Sequence, residues 1–284
     1  MYIDKFDQST FLILKATYLY YISEKPQNQI AEELGISVTT VSRLLKRAKE
    51  EKIIEFVIRD PLVECIEVER QLKETLGIKE VIIAPTVNIE DVGQQEDPEN
   101  VKKLVALEAA RYLQRIIKKG DVIGFTWGST VYQMINYLNP AQKVEADFVT
   151  LHGSLASSVA EWDVRTLVTR SAKAFSGKKH ILLTDTLMSS AEITELLKNE
   201  KSIADVYAMF ERVNIAINGI GAFYPETSTV LARPEYLPQK DLEELRNCGV
   251  VGDLIVRFID INGNECNTSL KNRTLSIDLE QFKK

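Results

Sequence analysis

The chain has 284 residues, of which 45% are hydrophobic, and it carries 35 basic and 41 acidic side chains, a net charge of −6. This mixture excludes wholesale disorder, and no apolar run reaches the roughly 20 residues that a membrane helix needs. Three cysteines (Cys65, Cys248 and Cys266) form no spacing motif and two histidines are too few for a His-rich metal site, so we expect no metal and a reduced, cytoplasmic setting.

The negative charge disfavours a nucleic-acid binder only if it is spread evenly, and it is not. Residues 1–60 hold nine basic and nine acidic side chains, so the 26 basic and 32 acidic residues of 61–284 account for the whole excess. Within 37–52, five basic residues stand against Glu50 and Glu51, a local charge of +3. This basic segment predicts a modest phosphate footprint, with a solvated helix face as the alternative.

Residues 1–60 are predicted to form a winged helix-turn-helix domain. Apolar residues recur at helical spacing over 11–22, and Pro26 stands at the start of a second helix. Gly35 follows where the end of that helix needs a left-handed residue, and Ser37 is placed to cap a third helix. Together these signals predict two helices around a short turn that bind DNA, with a helical hairpin used only for dimerisation as the alternative.

The third predicted helix presents its first turn to base edges in the major groove, as recognition helices do. Arg43 is long enough to reach a guanine or a phosphate, and the basic residues that follow it are expected to anchor the phosphate backbone. The β-rich segment 53–59 is interpreted as the wing. The residues predicted to contact DNA are Gln29, Ser37, Val38, Thr39, Thr40, Ser42, Arg43, Lys46 and Arg47.

Residues 61–284 are predicted to form a larger α/β domain. A helix over 63–76 and a buried strand over 81–85 precede a polar, acidic segment, 87–100, that is expected to be an exposed loop. Helices and strands then alternate, with helices at 101–118, 129–138, 163–175 and 191–199 and strands at 122–127, 148–151, 181–183 and 213–217. This alternation predicts a mostly parallel, doubly wound, Rossmann-like sheet.

Small polar residues follow three of these strands, at the edge where such sheets bind ligands. Backbone N–H groups, hydroxyls and glycines suit a phosphate or a polyol, whereas no phosphate-loop or dinucleotide fingerprint is present, which disfavours a nucleotide. Asp253 is a further candidate, a carboxylate before a predicted strand at the pocket mouth. The predicted ligand-binding residues are Gly128, Ser129, Thr130, His152, Gly153, Ser154, Asn218, Gly219, Gly221 and Asp253.

Several segments, in the same order along nearly the whole chain, resemble the SorC family of bacterial sugar-responsive transcriptional regulators. They are 29–37, 40–45, 120–128, 249–253, Arg257 with Phe258, Asp260, and 272–274. The resemblance implies an effector domain like the sugar-phosphate isomerases and deaminases, a dimer or tetramer, and a phosphorylated sugar that alters binding to operator DNA. We expect no cofactor and no catalytic residues, because Asp253 has no second catalytic candidate fixed by spacing.

Two departures from the family pattern bear on the ligand site. Family members usually continue past the position of Lys284, so we expect a truncated chain or an incomplete pocket. Where family members often carry a lysine or another polar residue, this chain has His152, which is able to bond a sugar hydroxyl or phosphate or to be a structural loop residue. Two alternatives stay open: a phosphosugar isomerase or deaminase in which Asp253 is the base, and a DNA-binding protein with a degenerate sensor.

Overall fold

The computed structural model divides the chain into two compact units, Met1–Glu67 and Val68–Lys284. It describes residues 8–54, 63–85, 97–140, 142–155 and 160–283. None of the helices in these ranges is long and apolar enough to cross a membrane.

The first unit is built on three helices: α1 (Gln8–Tyr21), α2 (Gln27–Leu34) and α3 (Val38–Glu50). Gly35 ends α2 with a left-handed φ of 66°, and the Ser37 hydroxyl caps α3 by accepting the Thr40 backbone N–H at 3.1 Å. The helix-turn-helix prediction is therefore confirmed. Of the predicted wing, residues 55–59 lie outside the described residues, while Ile53 and Ile54 pack against the core of the three helices.

The next segment agrees with the prediction in its helix but not in its strand. Helix α4 spans Val63–Leu76 as expected, whereas 81–85 forms no strand and pairs with none of the strands in the described ranges. The Ile83 backbone N–H donates instead to the Glu69 carboxylate at 2.7 Å, and Ile82 is exposed. The prediction of a buried strand is wrong, because an apolar run by itself does not say whether a neighbouring strand is available.

The second unit contains a four-stranded parallel sheet in the order β3-β2-β1-β4, which confirms the doubly wound prediction. The strands are β1 (Val122–Phe125), β2 (Asp147–Thr150), β3 (Lys178–His180) and β4 (Ile215–Ile217). The helices around them are α5 (Pro98–Ile116), α6 (Ser129–Asn136), α7 (Val164–Phe175), α8 (Ala191–Lys198) and α9 (Lys201–Phe210). The chain crosses the sheet from β1 through β2 to β3 and then returns to place β4 on the other side of β1. The carboxyl ends of β1 and β4 therefore form the switch point where such sheets bind ligands.

Side chains of the sheet alternate between two buried layers. Ile123 and Phe125 of β1 pack with α5, α6 and α7 on one face, and Val122 packs with α9 and the C-terminal segment on the other. Gly124 lies on the second face where the Leu151 side chain crosses it, and a Cβ at this position would collide with that leucine. The sheet is therefore the middle of three packed layers.

Two boundaries of this sheet differ from the predictions. Helix α5 begins at Pro98 and not at 101, because the Asp97 carboxylate caps it by accepting the Glu99 N–H at 3.1 Å. The strand predicted at 181–183 is wrong, since β3 lies three residues earlier. Leu182 is buried, but its N–H donates to the Thr150 hydroxyl at 2.8 Å, which ends the backbone ladder with β2.

A second, antiparallel sheet lies within the same unit. It comprises β5 (Gly221–Ala222), β6 (Gly252–Leu254) and β7 (Arg257–Ile259). Helix α10 (Gln239–Asn247) lies between β5 and β6 in the chain, and α11 (Leu279–Phe282) follows β7. Asp253 pairs with Gly221 and Phe258, so it lies inside β6 and not before a strand as predicted. This small sheet places Asp253 opposite the end of β4.

Candidate functional site

A cavity of about 510 Å³ opens at the carboxyl ends of β1 and β4, the switch point of the parallel sheet. Helix N-termini, the antiparallel sheet and the start of α5 all contribute to its walls. Seven of the predicted ligand-binding residues line it: Gly128, Ser129, Thr130, Asn218, Gly219, Gly221 and Asp253. The structure therefore brings together two of the three predicted strand ends, and adds the carboxylate.

The end of β1 supplies an anion-binding element. Gly128 is the N-cap of α6 with a φ of 133°, a conformation that favours glycine. Since Gly128 has no side chain to cap the helix, the first N–H groups of α6, at Ser129, Thr130 and Val131, are presented at the cavity wall. The positive end of the helix dipole points the same way, so this wall is suited to a phosphate.

Two cations line the same cavity. Lys102 of α5 pairs with Glu99 at 2.6 Å, whereas the side chain of Arg233 has no hydrogen-bonding or ionic partner in the part of the chain that the structure describes. Sequence reasoning missed both residues. Nothing in the local pattern marks them, because Lys102 is one of several charged residues at the start of α5 and Arg233 ends a short helical turn, and only the fold brings them to the cavity.

Asp253 is a buried acidic residue of the same lining. Its carboxyl is buried, and its Oδ1 has no hydrogen-bond partner among the described residues. Burial raises the pKa of Asp253 to about 6, although the Thr229 hydroxyl and the Val256 N–H oppose the shift. A Cβ on Gly221 would collide with this carboxylate and with Thr229. An unpaired buried acceptor is costly, and a hydroxyl of a bound polyol would satisfy it.

Apolar and aromatic side chains complete the cavity. Two tryptophans line it: Trp162 and Trp127, which packs against Tyr236 with ring centroids 5.6 Å apart. Ile220 stands at the rim and is 77% exposed. These surfaces suit the carbon faces of a sugar.

The third predicted strand end, His152 to Ser154, does not line this cavity. His152 is fully buried; its Nε2 accepts the Trp127 N–H at 3.0 Å and its Nδ1 donates to the Gly153 carbonyl at 2.6 Å. Burial lowers the pKa of His152 to about 4, against the opposing influence of Gly153 and Asp163, so the imidazole is neutral at pH 7. The Ser154 hydroxyl donates to the Asp163 carboxylate, the N-cap of α7.

The exposed face of α3 in the first unit carries most of the predicted DNA contacts. Val41, Leu44, Leu45 and Ala48 turn inward, which leaves Val38, Thr39, Ser42, Arg43 and Lys46 exposed on the other side. The Ser37 hydroxyl lies 2.8 Å from both the Thr39 and Thr40 hydroxyls. Gln29 is exposed on α2.

The cations of this face differ in their partners. Arg47 is held by Glu51 at 2.6 Å and Lys46 lies 3.7 Å from Glu50. The Arg43 guanidinium has no partner within the described ranges and is therefore available without breaking an ion pair. In the same ranges no group of three acidic, histidine or cysteine side chains is arranged to hold a metal ion.

Each of the two units is similar to a known protein family. A family model described as "Putative sugar-binding domain" matches residues 60–284, and one described as "Sigma-70, region 4" matches residues 17–51. The chain is 28% identical over 274 residues to the deoxyribonucleoside regulator of Bacillus subtilis (strain 168) and to the sorbitol operon regulator of Klebsiella pneumoniae, and each match covers 96% of this chain and 84% of the relative. The crystal structure of full-length SorC from Klebsiella pneumoniae superposes with a TM-score of 0.69 at 27% identity, covering 95% of this chain and 84% of that one.

Proposed function

The chain belongs to the SorC family of regulators that carry this sugar-binding domain, and from that premise we propose that it is a transcriptional regulator of carbohydrate metabolism whose affinity for operator DNA is set by a phosphorylated sugar. The observation that carries the proposal is the cavity at the switch point. Its lining combines a helix N-terminus, two cations and a buried carboxylate, Asp253, whose Oδ1 has no hydrogen-bond partner among the described residues.

The ligand is proposed to lie across the cavity with its phosphate at the start of α6. The N–H groups of Ser129 and Thr130 and the cations of Lys102 and Arg233 would neutralise the phosphate. Asp253 would accept hydrogen bonds from the sugar hydroxyls. The segment His152 to Ser154 would support the site without contacting the ligand. His152 bonds the Trp127 backbone, and Ser154 bonds the N-cap of α7.

Residues 1–60 are proposed to bind the operator through the exposed face of α3. Arg43 would read a guanine or a phosphate, because its guanidinium is free, while the short hydroxyl side chains of Thr39 and Ser42 allow a close approach to the groove. Lys46 and Arg47 would contact the phosphate backbone at the expense of their ion pairs with Glu50 and Glu51. The names of the relatives, regulators of a sorbitol operon and of deoxyribonucleosides, support this role.

Residues 61–284 are proposed to bind the effector and to assemble the chain into a dimer or tetramer in the cytoplasm. The apolar residues of α4, Ile66, Val68, Leu72 and Leu76, are all exposed, which supports a role in self-association. The three cysteines are free thiols, in keeping with a reducing compartment.

Binding without turnover is proposed for the cavity. Isomerisation of a phosphosugar needs a base and a proton donor on either side of the reacting carbons. Asp253 would supply one carboxylate, whereas Glu99 is paired with Lys102 and the Nε2 of His152 already accepts the Trp127 N–H. Incubation with ribose 5-phosphate or glucosamine 6-phosphate should leave both unchanged, and turnover of either would overturn this part of the proposal.

A thermal-shift screen tests the proposal as a whole. Phosphorylated pentoses, hexoses and hexitols are each compared with the unphosphorylated form and with inorganic phosphate. We expect a phosphosugar to raise the melting temperature more than its unphosphorylated form, and the same compound to change the affinity for operator DNA selected from random duplexes. No shift with any phosphosugar, together with unaltered DNA binding, would favour a DNA-binding protein with a degenerate sensor.

A further inference from the structure

The hairpin that carries Asp253 has an unusual turn. Strand β6 ends at Leu254, which pairs with Arg257 at the start of β7. The connection therefore has only two residues, Ile255 and Val256, with φ angles of 59° and 61°. A two-residue connection in which both residues are left-handed is a type I′ turn, which normally carries Asn-Gly, Asp-Gly or Gly-Gly. This chain has two β-branched residues there instead.

The left-handed conformation is strained for both residues, because a branched Cβ crowds the backbone there. The other non-glycine residues with a left-handed φ in the described ranges are Glu24, Lys52 and Ser176, none of which has a branched Cβ. Such strain persists only where the surrounding structure maintains it, and it is typical of sites that hold a defined geometry. The two side chains therefore have a task that asparagine and glycine would not perform.

The two turn side chains lie in different apolar clusters. Ile255 is 2% exposed and belongs to the cluster on one face of the parallel sheet, together with Val122 and Leu151. Val256 is fully buried in the cluster of the antiparallel sheet, together with Phe258. The turn therefore joins the cores of the two sheets.

The same turn borders the cavity, because Ile255 and Asp253 both line it. Burial raises the pKa of Asp253 to about 6, and the Thr229 hydroxyl and the Val256 N–H, which lie against the carboxyl, lower it. Since none of these influences is an ionic group, the pKa of Asp253 reports how completely the carboxyl is withdrawn from water. The lining holds three more charged residues, Glu99, Lys102 and Arg233.

The base of the hairpin is attached separately from its tip. Arg257 is 3% exposed and donates to the Ser276 hydroxyl at 2.8 Å and to the Asp278 carboxylate at 2.9 Å. These bonds do not involve the side chains of Ile255 and Val256. Replacing the turn side chains should therefore change the tip of the hairpin without detaching its strands.

We propose that Ile255 and Val256 are positioning residues for the ligand site. Their side chains anchor the tip of the hairpin in both clusters, and the anchored turn keeps the Asp253 carboxyl in the cavity lining and away from water. An Asn-Gly turn would satisfy the local backbone preference but would leave the tip unanchored. That the positioned carboxyl binds a sugar hydroxyl rests on the proposed function; the positioning itself does not.

The double variant Ile255→Asn, Val256→Gly tests the positioning in the full chain without ligand. Denaturant unfolding at several pH values is compared with and without the further change Asp253→Asn, which isolates the pH dependence due to this carboxyl. With the tip released, water reaches the carboxyl. The pKa of Asp253 should then fall from about 6 toward 3.8, by about one pH unit or more. An unchanged pKa would overturn the proposal.

Leu245→Ala is the matched control, because Leu245 is fully buried in the same cluster as Val256 but lies on α10. It should destabilise the protein and leave the pKa of Asp253 near 6. The milder variant Val256→Ala serves if the double variant does not fold, and it should lower the pKa of Asp253. The same fall in Leu245→Ala, or none in Val256→Ala, would show that the turn has no positioning role of its own.

Ligand binding distinguishes this proposal from the proposed function. Ribose 5-phosphate and glucosamine 6-phosphate are the probes, and calorimetry measures their affinity for the wild type and for the double variant. A sugar phosphate that binds the wild type should bind the double variant about tenfold more weakly, because Asp253 is no longer held in place. Equal affinities would overturn the positioning role. If neither probe binds the wild type, the proposed function fails for these sugars, while the pKa comparison still decides the role of the turn.

Discussion

The imidazole Nε2 of His152 accepts the backbone N–H of Trp127 at 3.0 Å, so the loop after β2 holds the loop after β1 in place. Trp127 directly precedes Gly128, the N-cap of α6. The bond requires a neutral imidazole that carries its proton on Nδ1, where it donates to the Gly153 carbonyl. His152 thus positions the anion-binding wall from behind without touching the cavity.

This arrangement predicts that His152 makes the fold sensitive to acid. The pKa of His152 is about 4 in the folded protein against 6.5 for an ordinary histidine. Between those values the unfolded chain binds more protons, so the free energy of unfolding falls as the pH is lowered from 6.5 to 4, by about 3 kcal/mol from this residue. Denaturant unfolding at several pH values between 4 and 6.5 measures this fall in the free energy of unfolding.

The matched variants separate this contribution from that of the acidic residues. His152→Gln should be less acid-sensitive than the wild type over the same interval, whatever its stability at pH 7. His180→Gln removes the other histidine, which bonds Asp147, and should keep the contribution of His152. An unaltered pH slope in His152→Gln would contradict the prediction.

Asp253→Asn should stabilise the protein while weakening ligand binding. The pKa of Asp253 is about 6 in the folded protein against 3.8 for an ordinary aspartate. Between these values the folded state binds more protons, so the free energy of unfolding falls as the pH rises from 3.8 to 6. Above pH 7 the asparagine variant, which has no buried charge, should gain up to about 3 kcal/mol. Its affinity for the phosphosugar should fall about tenfold, since a charged acceptor is lost.

Asp241→Asn is the contrasting control for Asp253. Asp241 is also buried, but it pairs with Arg273 at 2.9 Å. Its neutralisation should destabilise the protein and leave the affinity for the phosphosugar unchanged. Thermal melts at pH 8 and calorimetric titrations compare the two variants. A loss of stability in both would refute the view that the charge of Asp253 is buried without a cationic partner.

Lys102→Ala and Arg233→Ala should lose selectivity for the phosphate. Each is expected to bind the phosphosugar at least tenfold more weakly, because a charged hydrogen bond to phosphate is removed, and to bind the unphosphorylated sugar as before. Lys119→Ala, which breaks a surface ion pair with Glu145 outside the cavity, should change neither affinity. Equal losses for both ligands would show that the cations support the fold and not the phosphate.

Arg43→Ala should cost about 1–3 kcal/mol of DNA binding and relax the sequence preference at one base pair. Lys46→Ala should weaken binding evenly across sequences and reduce the salt dependence by about one phosphate contact. Fluorescence anisotropy on operator and scrambled duplexes distinguishes the two. An unchanged sequence preference in Arg43→Ala would assign Arg43 to the phosphate backbone.

The parts of the fold that were predictable from the sequence have local causes. Gly35 and Ser37 end and start helices by themselves, so the helix-turn-helix was accessible without knowledge of the tertiary structure. The strand β3 was not, because its residues Lys178 and Lys179 are exposed and charged, while the apolar run that follows, 181–183, makes no ladder bonds and buries only Leu182. The strand predicted over 81–85 was wrong for the opposite reason: the segment has the composition of a strand but no partner strand in the described ranges.

The residues of the candidate site were likewise predictable only where their position has a local cause. The glycines and hydroxyls after β1 and β4 were predictable, since parallel strands bring their carboxyl ends to one edge. Lys102 and Arg233 were not, because long-range packing alone carries them there. His152 had the right residue type and place in sequence, but its side chain turns toward the Trp127 backbone, a direction that only the packed structure determines.

Reciprocal titration tests the central claim most directly. The Kd for operator DNA is measured with and without a saturating amount of the phosphosugar that gives the largest thermal shift, and the Kd for that phosphosugar is measured with and without operator. The account predicts that both constants change by the same factor, because linkage makes the coupling reciprocal. Two affinities that do not depend on each other would contradict it.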